Sequence, residues 1–350
     1  MPTKLPLTSR RIFRLSLTVA LSLAGAYALG FPMPFLAPLF ALMLSAAPAP
    51  PMRLKGLLGL SLLVMLILGM GLLLAPLLRY YPASAVMIVA MGLVVSNILS
   101  INRGKGPIGA LLTMGLTLIS AAGTISFVLA VTVIQALVLG IGLAIVSQWA
   151  VYPWLPEDPA PGRPSKGPVQ KNGQSSWIAI RAALIVMPAY LLALTNPSMY
   201  MAIIMKAVSL GQQGSLVSAH RAGRELLGST FLGGCFAILF WLALDLFTHL
   251  WMFFLWMVLF GIYFASKLYG HLPSRLSASF WLNAFVTMLI LVGPAVEDSA
   301  NGKDVYLAFT VRMGLFVAVT IYAWAAIYVL EDLRTWHAGR IAQALPLSRS

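Results

Sequence analysis

The sequence predicts an all-α polytopic membrane protein with about twelve transmembrane helices arranged as two parallel six-helix repeats. Of its 350 residues, 60% are hydrophobic and only 9% are charged, which leaves too few charged side chains to cover a water-soluble domain. Apolar runs of about 17 to 25 residues recur along the chain, and about 20 helical residues cross a hydrocarbon core. Helices are expected because each one satisfies its own backbone hydrogen bonds in lipid.

Six apolar runs make up the first predicted repeat, residues 10–153, and short turns or charged loops separate them. They are Phe13–Gly30, Met33–Pro48, Gly56–Leu78, Pro82–Leu99, Gly106–Ala122 and Thr124–Val151.

A change of composition divides the chain after these six runs. Residues 154–177 are rich in Pro, Gly, Ser, Lys and Gln, as is typical of a flexible aqueous linker. The second predicted repeat, residues 178–335, precedes a predicted cytoplasmic tail at 336–350. Its six apolar runs are Ile178–Thr195, Ser198–Gly214, Leu226–Phe247, His249–Ser266, Leu276–Pro294 and Val305–Leu330.

The basic residues gather on one side of the membrane if twelve spans are drawn from a cytoplasmic amino terminus. Of the 23 Lys and Arg residues, only Arg79 and Lys303 then face the opposite side, and Lys206 and Arg312 fall inside spans. Cytoplasmic loops of membrane proteins carry such an excess of cations. The pattern predicts an even helix number with both termini in the cytoplasm, and it explains the net charge of +14 without a nucleic-acid ligand.

The two predicted repeats begin alike. Arg14 and Arg181 stand at the start of the first helix of each repeat, and Pro32 and Pro197 follow at its other end. The second helix of each repeat is short. Transporters often contain such duplications, and short or interrupted helices at matching positions point to a site between the halves near the membrane midplane.

A motif at the start of the ninth span provides a family resemblance. Arg221, Arg224, Glu225 and Leu226 lead into Gly228, Ser229, Thr230, Gly233 and Gly234. Together with the duplicated twelve-helix layout over residues 10–335, this motif resembles the fusaric acid resistance and aromatic acid exporter family. The halves are compact, as in short bacterial members. Longer members carry a soluble domain between the halves, where this chain has only the linker.

The resemblance implies an inner-membrane exporter of small aromatic or other weak organic acids that works with a periplasmic adaptor of the membrane-fusion type. The residues themselves give no reason to expect an enzyme or a cofactor. The four histidines form no paired helical metal motif, and no Walker phosphate loop is present, so any pumping is expected to draw on an ion gradient or a partner.

Two cations inside predicted spans are the candidate substrate-binding residues. Lys206 lies about 12 Å and Arg312 about 10 Å from the outer ends of their helices, at about 1.5 Å per residue. No acid is expected at the same depth, and a buried cation at the bilayer centre costs about 2.5 to 3.5 kcal/mol or more. An organic anion passing between the halves would offset both charges. The alternative is that each side chain snorkels outward or pairs with Asp245 and helix carbonyls.

Two further polar residues lie in apolar runs. Asp245 is the only acid within a predicted span and is the candidate for proton coupling, although an Asp so close to the interface is often merely solvated. Gln135 could donate hydrogen bonds to a substrate carboxylate, or it could join helices to each other.

Arg224 and the motif glycines are interpreted as structural. Arg224 is expected to hold a cytoplasmic loop or a neighbouring helix, with a simple topology signal as the alternative. Gly228, Gly233 and Gly234 are small residues that allow close helix approach.

The preferred hypothesis is proton-driven efflux of an amphipathic organic anion between the two halves. A passive anion channel is the leading rival, because plant malate channels are similar to this family and the same cations would serve both mechanisms. A noncatalytic assembly subunit is the third possibility. Homo-oligomers are compatible with each of the three.

Overall fold

Within residues 5–47, 50–103, 106–158, 172–214 and 219–344, which the computed structural model describes, all regular secondary structure is helical. We number the α-helices as follows: α1 Leu7–Ala28, α2 Leu36–Ser45, α3 Leu54–Tyr80, α4 Pro82–Arg103, α5 Gly106–Met114, α6 Ser120–Ile125, α7 Phe127–Val151, α8 Asn172–Thr195, α9 Pro197–Gly214, α10 Ala219–Leu246, α11 Leu250–Leu268, α12 Ala278–Ala300 and α13 Val305–Ala344. A π-helical turn, Gly115–Ile119, joins α5 to α6 without a break.

Eight of the described helices contain a segment long and apolar enough to cross a bilayer. The protein is therefore a polytopic helical membrane protein. The eight segments are Leu54–Tyr80, Pro82–Ser100, Phe127–Val151, Ser176–Thr195, Glu225–Leu246, Leu250–Leu268, Ala278–Ala300 and Val305–Asp332.

The other four predicted spans coincide with helices that are shorter or more charged. Leu36–Ser45, Leu111–Ile125 and Tyr200–Gly211 are short apolar segments, and α1 carries three arginines in its first two turns. Every predicted span thus falls on a helix, while the number that cross the bilayer stays a prediction.

Several boundaries differ from the predicted ones. Helix α8 begins at Asn172, within the predicted linker, and α13 continues to Ala344, within the predicted tail. Helix α12 extends to Ala300 instead of ending near Pro294. Residues 159–171 of the predicted linker and 345–350 of the predicted tail lie outside the described residues.

Short connections between apolar helices make successive helices antiparallel, so the loops gather at two ends of the bundle. We call the end that holds the start of α1 the amino-terminal end, and the end that holds the loops 29–35 and 301–304 the far end. At the far end, Asn301 N and Lys303 N both donate to Asp298 O. Gly302 adopts φ +69° in this turn, a left-handed conformation that glycine adopts readily at helix ends.

Packing joins the two parts of the chain into one body. The first part contains α1 to α7 and the second part contains α8 to α13. Helix α1 packs along α11, and α4 packs along α8. Helix α2 also contacts α12, and the run from α5 to α6 contacts α9. One continuous cluster of buried apolar side chains includes residues from Ile12 in α1 to Phe316 in α13.

Candidate transport cavity

A cavity of about 190 Å³ opens at the far end of the bundle, between the two parts of the chain. The loop before α2, the π-helical turn, α9, α12 and α13 all contribute to its walls. Its lining residues are Met33, Phe35, Leu36, Leu118, Met201, Ala202, Met205, Pro294, Glu297, Asp298, Asn301, Lys303 and Arg312.

A second, narrow cavity of about 30 Å³ lies next to the first, on its amino-terminal side, and because the two share lining residues we call them the connected cavities. The two cavities share Leu36 and Met205. Most of the narrow cavity is apolar, and its walls are Leu36, Leu39, Phe40, Met43, Met114, Met205, Val208, Ser209, Val286 and Ile290. Methionine side chains adapt to irregular spaces, so this segment can widen without a large change of the backbone.

Two short helices adjoin these cavities. Helix α2 has 10 residues and α9 has 18, so at about 1.5 Å per residue both are shorter than a hydrocarbon core of about 30 Å. The π-helical turn on the facing wall adds a local irregularity, and such turns are frequent at functional sites. The connected cavities thus lie beside the short second helix of each predicted repeat.

Charged groups concentrate at the wide opening. Arg312 Nη1 lies 2.5 Å from Asp298 Oδ2, and Lys303 Nζ lies 3.6 Å from Asp298 Oδ1. The carboxylate of Asp298 is 7% exposed and the Arg312 side chain is 20% exposed, whereas Lys303 is 67% exposed. Glu297 lines the same cavity. Two acids and two cations thus face one opening.

The expectation that Arg312 has no acid at its depth is wrong. It depended on ending the eleventh span near Pro294, but α12 continues for six more residues and carries Glu297 and Asp298 beside α13. For the same reason, Asp245 is not the only acid within an apolar helix. The sequence signal is present, since Glu297 and Asp298 directly continue the apolar run, although the predicted span ends before them.

Lys206 is placed differently from Arg312. Its side chain is fully buried, and Nζ donates to Asn283 Oδ1 at 3.1 Å and to Thr287 Oγ1 at 2.7 Å. Asn283 Nδ2 in turn donates to Ser229 Oγ at 2.5 Å. The ammonium therefore belongs to a polar network that joins α9, α12 and α10, and Lys206 lines neither of the two connected cavities.

The structure does not bring Gln135 or Asp245 to the cavities between the two parts. Gln135 is exposed on the surface of α7. Asp245 is exposed near the end of α10 and lines a separate cavity of about 330 Å³. Of the predicted substrate and coupling residues, only Arg312 lines the connected cavities.

The motif glycines lie at helix contacts. A Cβ atom at Gly233 would be 2.5 Å from Ala284 O in α12, and one at Gly228 would be 3.1 Å from Phe280 Cε2. Gly234 packs directly against Met313. Two other motif residues, which had no assigned role, make buried contacts: Ser229 with Asn283, and Thr230 with Thr320 across a distance of 3.3 Å. Arg224 belongs to α10, and its side chain lies outside the described part.

The two prolines mark the far-end turns. Pro197 is the first residue of α9, a position where its fixed φ and missing N–H suit a helix. Pro32 lies in the bend between α1 and α2, and its neighbour Met33 reaches the cavity opening.

Arginines near the start of α1 bind acids that follow α7. Arg14 Nη2 lies 2.6 Å from Glu157 Oε2, Arg11 also pairs with Glu157, and Arg10 lies 2.8 Å from Asp158. Burial by itself would raise the pKa of Glu157, but the hydrogen bonds from Arg11 and Arg14 outweigh it and hold that pKa below its ordinary value. In the second part of the chain, Arg181 of α8 pairs with Glu331 of α13 at 3.8 Å.

A family model described as "Protein of unknown function (DUF2955)" matches residues 11–151, which is less than half of the chain. No curated protein and no solved structure matches the chain. The matched region begins in α1 and ends at the last residue of α7, so the part of the chain that is similar to this family coincides with the first six predicted spans.

Proposed function

We propose that this protein exports small aromatic or other weak organic acids across the bacterial inner membrane, and that it is a short member of the fusaric acid resistance and aromatic acid exporter family. Twelve helices form two parallel repeats, with both termini in the cytoplasm and the far end facing the periplasm. A proton gradient drives export, and a periplasmic membrane-fusion adaptor receives the substrate.

The helix packing supports the duplicated layout. In each half the first helix contacts the fourth helix of the other half: α1 with α11, and α8 with α4. The arginine at the start of each half pairs with an acid at its end, since Arg14 binds Glu157 and Arg181 binds Glu331. Each contact made by the first helix of one half therefore has an equivalent contact made by the first helix of the other half.

The cavity with Arg312 at its opening is the observation that carries the transport proposal. Eight of its thirteen lining residues are apolar and offer contacts for an aromatic body, and Arg312 supplies a polar group that fixes orientation, as is typical of small-molecule sites. A guanidinium has five N–H donors, so Arg312 has donors for a substrate carboxylate beyond the Nη1 contact with Asp298. Lys303 at the mouth adds a second, solvated cation.

Uptake into inverted membrane vesicles tests the proposal. Vesicles that contain the protein should accumulate radiolabelled aromatic carboxylates when energised, and a protonophore should abolish the accumulation. The neutral alcohol analogue of each acid should not accumulate. Lack of concentrative uptake across a panel of such acids would contradict proton-driven export.

A passive anion channel is the second candidate. The narrow apolar cavity could act as its gate, because an apolar constriction blocks ions when it loses its water. In this case anion flux in the same vesicles should follow the substrate gradient whether or not a proton gradient is present.

An assembly subunit without transport activity predicts no flux under either condition, together with unchanged function of Arg312→Gln. Affinity purification of the full-length protein from native membranes tests the adaptor.

A further inference from the structure

The cavity of about 330 Å³ is separate from the proposed transport path. It lies at the far end among α1, α10, α11 and α12, and it shares no lining residue with the two connected cavities. Helix α12 divides them, because Val296, Ser299 and Ala300 face this cavity while Glu297 and Asp298 face the other one. Its volume falls in the range of small-molecule sites, about 300 to 1,000 Å³.

Aromatic rings form much of its wall. Tyr27 of α1, Trp241 of α10 and Phe253 of α11 all line the cavity, and the rings of Tyr27 and Phe253 lie 5.1 Å apart. The faces of such rings carry negative charge density and attract cations, tryptophan most strongly.

One carboxylate accompanies these rings. Asp245 lines the cavity, and the only other titratable groups in the lining are the Tyr27 phenol and His249. Among the described residues, no Lys or Arg lies within ion-pairing distance of Asp245, in contrast to Asp298 on the other side of α12.

We propose that this cavity binds an organic ammonium ion with an apolar body. The ammonium group pairs with Asp245 and lies against the aromatic wall that Tyr27 and Trp241 help to form. The apolar body occupies the space bounded by Leu244, Leu250, Phe253 and Val296. Organic anions, which we propose for the Arg312 cavity, are repelled here by Asp245, so this site has the opposite charge preference and is independent of the proposed transport activity.

Calorimetric titration of the purified full-length protein with phenethylamine, a primary ammonium at neutral pH, tests the site. 2-Phenylethanol is the matched neutral ligand and should bind at least about tenfold more weakly, because it lacks the charge-assisted bond. Asp245→Asn should weaken phenethylamine binding by about tenfold or more, and Trp241→Leu by about threefold to tenfold, because it removes an aromatic face that attracts the cation. Asp158→Asn, which alters an acid at the other end of the bundle, is the control and should bind as the wild type does.

Equal affinity for the amine and the alcohol, or wild-type affinity in Asp245→Asn, would overturn the proposal. Gel filtration and circular dichroism establish that each variant is folded. If Asp245→Asn does not fold, Trp241→Leu still tests the site, and wild-type affinity in that variant would overturn the proposal.

The ammonium can come from a membrane lipid or from a free amine, and nanodiscs distinguish the two sources. With phosphatidylethanolamine as the native occupant, phenethylamine should bind more weakly in discs that contain this lipid than in discs of phosphatidylglycerol alone, and Asp245→Asn should remove the difference. With a free amine as the native ligand, the affinity should be equal in both discs and should still depend on Asp245.

Discussion

Arg312 and Asp298 hold two opposite charges in a place where neither is well solvated. Removing one partner of such a pair leaves the other buried and uncompensated, which is usually more damaging than removing both. Arg312 therefore has two roles that can be separated by mutation: it stabilises Asp298, and in the proposed function it binds the substrate carboxylate.

Arg312→Gln should lower the free energy of unfolding by about 3 kcal/mol and abolish concentrative uptake. Adding Asp298→Asn to this variant should restore much of the stability, since Asp298 then carries no charge that has lost its Arg312 partner, but it should not restore uptake. Thermal unfolding in detergent and vesicle uptake measure the two effects. Full uptake by the stabilised double variant would exclude Arg312 from substrate binding.

Lys206 should behave in the opposite way, because its ammonium is fully buried and bonds to neutral groups within the second half. Lys206→Met removes a buried charge that has no carboxylate partner among the described residues, but it also removes the donor from which buried Asn283 Oδ1 and Thr287 Oγ1 accept. We expect a loss of stability of about 1 to 3 kcal/mol and unchanged substrate affinity. A large loss of affinity, comparable to that of Arg312→Gln, would return Lys206 to the substrate site.

At the scale of helices, the contact between the third and fifth helices of each half depends on glycine. Gly71 of α3 lies directly against the Gly115 carbonyl in the π-helical turn, and Gly233 of α10 lies against the Ala284 carbonyl in α12. Both contacts bring backbones closer than any side chain would allow.

Gly233→Ala should destabilise the protein by about 1 to 3 kcal/mol, because the added methyl group forces α10 away from α12. Gly59→Ala is the matched control: no atom lies within 4 Å of a Cβ at this position, and alanine is the better helix former by about 1 kcal/mol. Melting temperatures of the two variants in the same detergent compare them. An unchanged melting temperature in Gly233→Ala would mean that α10 and α12 are not held together at this point.

The attachment of α1 to the segment after α7 should depend on pH. The pKa of Glu157 in the folded protein lies below its ordinary value of 4.5, so its ion pairs stabilise the fold at neutral pH, and this contribution is lost as the pH falls through the lowered pKa. Glu157→Gln should therefore be less stable than the wild type at pH 7, and the difference should shrink toward pH 3. Thermal unfolding over this range measures it. A constant difference would contradict the lowered pKa.

At the scale of the whole molecule, the exchange symmetry of the contacts and the distribution of cations both support the proposed topology, in which an even number of membrane crossings places both termini in the cytoplasm.

Reporter tags at the two termini should both be protected from a membrane-impermeant reagent in intact cells, and a tag in the loop 301–304 should be labelled. This result is expected because an even number of spans returns the chain to its starting side. Labelling of one terminus alone would refute the twelve-helix layout and the equivalence of the two halves.

The sequence by itself determined that much of this protein lies in lipid, and it determined where the helices form. Long apolar runs can satisfy their backbone groups in lipid only as helices, so the helices fell where hydropathy predicted them, and the shortness of α2 and α9 indicated where space would remain. These features depend on neighbours along the chain, which a sequence records directly.

Only the tertiary structure decided which side chains meet. Lys206 and Arg312 look alike in the sequence, since each is one cation in an apolar run, yet Lys206 faces Asn283 and Thr287 while Arg312 faces Asp298 and a cavity. Helix rotation and the length of α12 make this difference, and both are set by packing between segments far apart in the chain. Asp245 and Asp298 also differ because of tertiary packing. Asp298 is buried and contacts Arg312 of another helix, whereas Asp245 is exposed and has no Lys or Arg within ion-pairing distance among the described residues.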